Sequence, residues 1–244
     1  VRLFLALALA ASAVQADDEW RPPFITTPPE VVERMLELAG TTAGDFVVDL
    51  GSGDGRIVIA AARQFGASGL GIELDAELVK KSRQDADRAR VADKARFVQG
   101  DALTADLSRA TVLTVYLLPA LMAKLQSRFI DELAPGTRIV SHSFTMAGWP
   151  PDRTATVRLR QRHPGQGDES RLYLWIVPAD VRGTWRAGEL QLRIEQNYQQ
   201  IDVEGAGPGK VSGRDIAWQG FKGRVEGGRI VGELGGRRIK LERR

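Results

Sequence analysis

A chain of 244 residues with 43% hydrophobic and 27% charged side chains has ordinary globular composition, long enough for one α/β domain and a small extra module. Its 34 basic and 31 acidic residues leave a net charge of +3, a weak footprint for nucleic-acid binding. With no cysteine and two histidines, it has no disulfide framework, thiolate metal site, cysteine nucleophile or histidine-rich metal site.

The first sixteen residues read as a secretory signal peptide. Arg2 supplies the positive start, Leu3 to Ala10 is apolar, and Ala11-Ser12-Ala13 and Val14-Gln15-Ala16 are small-residue cleavage patterns. Cleavage is expected after Ala16, and the mature protein is expected to be exported, in a bacterium to the periplasm. If the segment is not a signal, the protein is cytoplasmic.

Strand and helix then alternate. Thr27 is placed as N-cap of a helix that ends at Gly40, with Pro28 in its first turn. Strands are expected at Phe46–Leu50, Leu70–Glu73, Ala95–Gln99, Thr111–Leu117 and Thr137–Ser141. Helices are expected over Arg56–Phe65, Ala76–Arg90 and Ala120–Leu133. The Thr111–Leu117 strand is very apolar and so central. Thr154–Arg160 and Leu172–Val177 read as a long-looped hairpin, with His163 in the loop. This is a doubly wound, mostly parallel α/β sheet over residues 17–179, closed by an antiparallel edge hairpin.

Composition shifts after Pro178. Residues 180–244 hold 13 of the 26 glycines, with 13 basic and 9 acidic side chains. Alternating stretches at Leu190–Ile194, Gln200–Val203, Ile216–Trp218, Arg229–Val231 and Arg238–Leu241 predict a small all-β module, a meander or partial barrel. Gly227-Gly228 and Gly235-Gly236 are its tight turns and Trp185 its core anchor.

The chemistry lies in V-V-D-L-G-S-G-D-G-R, between a strand and a helix. Glycines let the backbone approach a ligand, and the helix N-terminus offers free N–H groups. A dinucleotide fingerprint needs G-x-G-x-x-G, whereas the spacing here is G-x-G-x-G after Asp49. That suits S-adenosylmethionine (SAM), which has no pyrophosphate but has an amino-acid end. Glu73 ends the second strand, where a carboxylate can accept both ribose hydroxyls. Asp101 follows the third strand and can accept from the adenine amino group. All three elements converge at the carboxyl edge of the sheet.

This set resembles the class I SAM-dependent methyltransferases over roughly residues 22–177. The resemblance implies that Asp49, Gly51, Gly53 and Gly55 flank the methionine end of the cofactor, with Glu73 at the ribose, Asp101 at the adenine and Thr26 closing over it. T-P-P-E-V-V-E-R-M-L, Y-L-L-P and S-H-S-F-T-M-A-G-W-P-P-D together resemble the bacterial relatives of the mitochondrial protein-lysine methyltransferases that act on the ATP synthase c-subunit and the adenine nucleotide translocase. Tyr116 and Pro119 end the central strand and are expected at the transferred methyl group. His142 follows the fifth strand as a pocket residue. The expected acceptor is a protein with an accessible amine. The β-module is a site for a docking partner, nucleic acid is not the expected substrate, and a membrane is met only during export. The alternative is an exported binding protein that keeps the fold without turnover.

Overall fold

The structure, a computed structural model, describes residues 25–163 and 167–244; the signal-like residues 1–16 lie outside them. Helix α1 (Pro29–Leu38) starts on Pro28 with no side-chain cap, contrary to the role expected of Thr27. Proline carries no N–H, so the first turn has fewer donors to satisfy, and Thr27 Oγ1 instead lies 3.3 Å from His142 Nδ1.

Five parallel strands follow with their helices: β1 (Phe46–Leu50), α2 (Arg56–Phe65), β2 (Ser68–Glu73), α3 (Ala76–Arg88), β3 (Ala95–Gln99), β4 (Val112–Val115), α4 (Pro119–Glu132) and β5 (Arg138–His142). The antiparallel pair β6 (Arg153–His163) and β7 (Gly167–Ile176) completes a seven-stranded sheet of order β3-β2-β1-β4-β5-β7-β6. β4 is shorter than its apolar run suggested, because Tyr116 to Leu118 leave the ladder and Pro119 opens α4. β6 is longer than expected and takes in His163, since a register shift between Arg158 and His163 lets pairing continue. The strand order reverses between β1 and β4, so the crevice at their carboxyl ends is the binding edge.

Alternate side chains of the buried strands serve two layers. Val48, Leu50, Leu113 and Val115 pack with Met122 and Phe129 of α4 and with Trp149 and Trp175. Val47, Val112 and Val140 pack with Val31, Met35 and Leu36 of α1 and with Ala61 of α2.

The C-terminal module is a closed up-and-down barrel. Its strands are β8 (Gly183–Ala187), β9 (Leu190–Asn197), β10 (Gln200–Val203), β11 (Gly207–Ser212), β12 (Asp215–Trp218), β13 (Phe221–Glu226), β14 (Arg229–Leu234) and β15 (Arg237–Arg243). Pairing of β15 with β8 closes it, so the expected meander has no free edges. Trp185, Trp218, Phe221, Ile230 and Leu241 fill its interior. Gly223 and Gly232 face each other across β13 and β14, where added Cβ atoms would lie 2.6 Å and 2.3 Å from backbone oxygens.

Candidate active site

The glycine loop turns directly off β1. Gly51, Gly53 and Gly55 all have positive φ, and the N–H groups of Gly51 and Ser52 donate to the Ile72 carbonyl. The loop is thereby tied to the end of β2, where Glu73 Oε2 accepts from Gly53 N–H (2.8 Å) and Oε1 from Asp75 N–H (3.0 Å). Asp75 in turn caps α3. Glu73 is thus fixed beside the loop with its carboxylate half-buried. Asp101 is exposed past β3, with Oδ1 accepting from Leu103 N–H at 2.8 Å. Arg128 of α4 donates to the carbonyls of Ala102, Leu103 and Ala105, which ties this loop to α4.

Asp49 sits under the loop with its side chain buried. Desolvation pushes its carboxyl up to about 7; a 2.7 Å bond from Thr114 Oγ1 opposes this, and the nearby Glu73 and Asp54 charges add to it. Asp54 is the contrasting case: burial raises it, but the Arg56 guanidinium and the Lys81 ammonium outweigh burial and hold it below the ordinary range. Arg56 also donates to the Thr27 carbonyl (2.8 Å), which ties the segment before α1, with Thr26 in it, to the loop.

The residues present fit SAM. Asp49 is buried and, among the described residues, has no cation paired with it, as the amino group of the methionine end requires. Ser52 Oγ is buried and without a hydrogen-bond partner among the described residues. A Cβ on Gly51 would come 3.0 Å from Leu117 Cδ2, and one on Gly55 2.6 Å from the Phe97 ring, so the loop lies close against its neighbours. A groove of about 540 Å³ lies between α1, α2 and α3; Asp54 and Arg56 at the end of the glycine loop line it, but it contains none of Asp49, Glu73 and Asp101. The convergence of the strand-end carboxylates, rather than cavity size, marks the cofactor edge.

Beyond the loop, the carboxyl end of β4 presents Tyr116-Leu117-Leu118, with Pro119 exposed as the first residue of α4. Tyr116 packs on His142 at 4.1 Å between ring centroids, and on Phe144 at 6.2 Å and 23°. His142 is fully buried, with Nε2 3.1 Å from Ser170 Oγ on β7 and Nδ1 against Thr27. The expected residues Tyr116 and His142 are therefore in contact, and Leu117 joins them to the glycine loop. Several side chains at the site were not singled out from the sequence. Thr114 is a polar residue in a strand otherwise apolar, which is its signal. Leu74, 50% exposed beside Glu73, follows a strand-end acid. Phe144 stands in the S-H-S-F run already quoted, without a role assigned to it there, and Ser170 had no local signal.

Comparison with known proteins agrees with this geometry. The profile of the ANTKMT methyltransferase domain matches residues 49–153. A protein-lysine N-methyltransferase of Saccharolobus islandicus is 40% identical over 136 residues, which span 55% of this chain and 84% of that protein. The ATP synthase C-subunit lysine N-methyltransferase of Mus musculus is 35% identical over 132 residues, which span 54% of this chain and only 53% of that relative. A solved structure described as an RNA methyltransferase from Salinibacter ruber, in complex with S-adenosyl-L-homocysteine (SAH), is 50% identical. It aligns over 64% of this chain and 96% of that chain with a TM-score of 0.58. A SAM-type glycine loop, strand-end acids on a 3-2-1-4-5-7-6 sheet and a relative matched over most of its length lead to one conclusion: the chain belongs to the ANTKMT-type family of SAM-dependent methyltransferases.

Proposed function

We propose that the chain methylates a lysine-like amine of a protein. The observation that carries this is the wall beside the cofactor loop, where Tyr116 lies on buried His142 and Phe144 and adjoins Leu117 over Gly51. An apolar, aromatic mouth lowers the pKa of an entering ammonium and so favours the neutral amine that can attack. SAM, when bound, supplies an electrophilic methyl group on a sulfonium. The chain's own residues align and desolvate. Asp49 and the backbone at Gly51, Gly53 and Gly55 take the methionine end, with Thr26 closing over it. Glu73 takes the ribose, and Asp101 and Leu74 border the adenine. Tyr116 orients the amine, Pro119 fixes the turn that presents it, and His142 holds the Tyr116 ring rather than meeting the acceptor, being fully buried.

RNA is the second acceptor class, motivated by the description of the Salinibacter ruber relative. Incubation of the full chain with SAM and a mixture of unfolded β-casein and total RNA separates the two. Lysine methylation mapped by mass spectrometry on casein supports the amine reading, and methyl label confined to RNA overturns it.

The barrel is a candidate docking module for a partner. We further propose export of the mature chain to the periplasm on the strength of residues 1–16. A fusion of residues 1–20 to a reporter active only outside the cytoplasm should be active and cleaved near Ala16; an inactive reporter would favour the cytoplasmic reading.

A further inference from the structure

Among the described residues three non-glycine positions have positive φ: Arg90 (59°), Ser143 (70°) and Tyr198 (53°). Arg90 follows α3, where left-handed residues are common. The other two lie at the two ends of one assembly. Ser143 directly follows His142, and the Phe144 N–H donates back to the His142 carbonyl at 3.0 Å. A hydrogen bond across one residue with φ of 70° is the rare, strained form of the γ-turn. It begins the segment 143–152, which places Phe144 on Tyr116.

Tyr198 opens the β9–β10 turn of the barrel, which consists of Tyr198 and Gln199. The barrel's other six turns each contain a glycine at positive φ: Gly188, Gly205, Gly213, Gly220, the Gly227-Gly228 pair and the Gly235-Gly236 pair. This one carries a bulky side chain where glycine is favoured, at a cost in free energy. The ring makes up for that cost in contacts to the methyltransferase domain, with α4 and the segment between β5 and β6. It stacks on Trp149 at 5.0 Å and 4°, and its hydroxyl accepts from Gln126 Nε2 at 2.8 Å. The same Gln126 amide donates to the Ala147 carbonyl at 2.8 Å. Gln199 Nε2 donates to the Pro150 carbonyl at 2.5 Å, and Lys210 Nζ lies 2.7 Å from Asp152 Oδ1. Two further costs sit here: Trp149 Nε1 and Gln199 Oε1 are buried without partners among the described residues. Strain held by surrounding contacts is characteristic of segments that a function needs in one conformation.

We propose that the β9–β10 turn is a clamp on the acceptor side of the methyl-transfer site, with Tyr198 a positioning residue that acts through Trp149 and the segment 143–152 on Phe144 and Tyr116. The proposal rests on the reading that the acceptor amine enters beside Tyr116. It assigns the barrel a part in the reaction: the barrel holds the acceptor wall and leaves the glycine loop, on the other side of β4, untouched.

The test uses the full chain and the variants Y198G and Y198F. Glycine suits the backbone at this turn, so Y198G removes the ring and relieves the local strain together. Y198G is expected to keep its thermal midpoint and SAH affinity, to lose hydrogen-exchange protection over 144–149, and to transfer methyl groups to β-casein with kcat at least tenfold lower. Y198F keeps the stack and should retain most of the rate. Q126L, which removes the donor shared by Tyr198 and Ala147, should deprotect the same amides and decides the matter if Y198G fails to fold. Unchanged protection and kcat in Y198G would overturn the clamp, as would an equal loss of SAH affinity. If the wild-type chain binds SAH but does not methylate casein, the amine reading fails, and the exchange data alone decide the clamp.

Discussion

Replacing Asp49 with Asn should remove a pH dependence from cofactor binding that the wild-type protein shows. Burial pushes the Asp49 carboxyl up to about 7 from an ordinary 3.8, against the bond from Thr114. The cationic amino end of the cofactor favours the ionised carboxylate. If only that form binds, affinity falls about tenfold for each pH unit below 7, ~1.4 kcal/mol per unit, and levels off above it. Because the folded value lies above the unfolded one, protonation favours the fold. The stability it contributes is fully present below about pH 4 and is lost as pH rises through about 7, a difference on the order of 4 kcal/mol. Asp49→Asn is neutral at every pH. Above pH 7 it should be more stable than the wild type by up to a few kcal/mol, and the two proteins should converge near the acid end. SAH keeps the amino group and permits no turnover, so calorimetry with SAH between about pH 5.5 and 7.5 is the assay. Titration of the ligand's own amine is common to both proteins and cancels in the comparison. Parallel pH profiles for wild type and Asp49→Asn would refute the reasoning.

Three further outcomes follow from the same site. Glu73→Ala should weaken SAH binding by ~1–3 kcal/mol, read by calorimetry, because it removes charge-assisted bonds to the ribose and the acceptor for Gly53 N–H. Thr114→Val removes a hydrogen bond to the Asp49 carboxylate and should move the inflection in SAH affinity to higher pH. Gly71→Ala places a Cβ 2.5 Å from Phe97 and 2.6 Å from Ser52 Oγ; chemical denaturation should show a loss of ~1–3 kcal/mol, together with weaker SAH binding.

The sheet and its cofactor edge were legible because their signals are local. The G-x-G-x-G loop between an apolar strand and a helical period, followed by acids at two more strand ends, needs no knowledge of distant contacts. The barrel was legible only as β structure. Its strands β8, β11 and β13 were not picked out as strands, because glycine-rich runs such as Gly207-Pro208-Gly209-Lys210-Val211-Ser212 bury a single large apolar side chain and show no clear alternation. Closure of β15 on β8 is a long-range pairing that no window of sequence contains. The same reason hid the stack of Tyr198 on Trp149 and the contact between His142 and Ser170. The expected N-cap at Thr27 failed for a tertiary reason: its hydroxyl is drawn to His142, and the prolines after it leave little for a cap to satisfy.

A crystal structure of the full chain with SAH tests the central claim most directly, that the carboxyl ends of β1, β2 and β4 hold the cofactor with its sulfur toward the acceptor wall. The ribose hydroxyls are expected within hydrogen-bond distance of the Glu73 carboxylate, the amino group against Asp49, and the sulfur facing Tyr116. SAH bound instead in the groove between α1, α2 and α3, or bound with its sulfur turned away from Tyr116, would contradict the account.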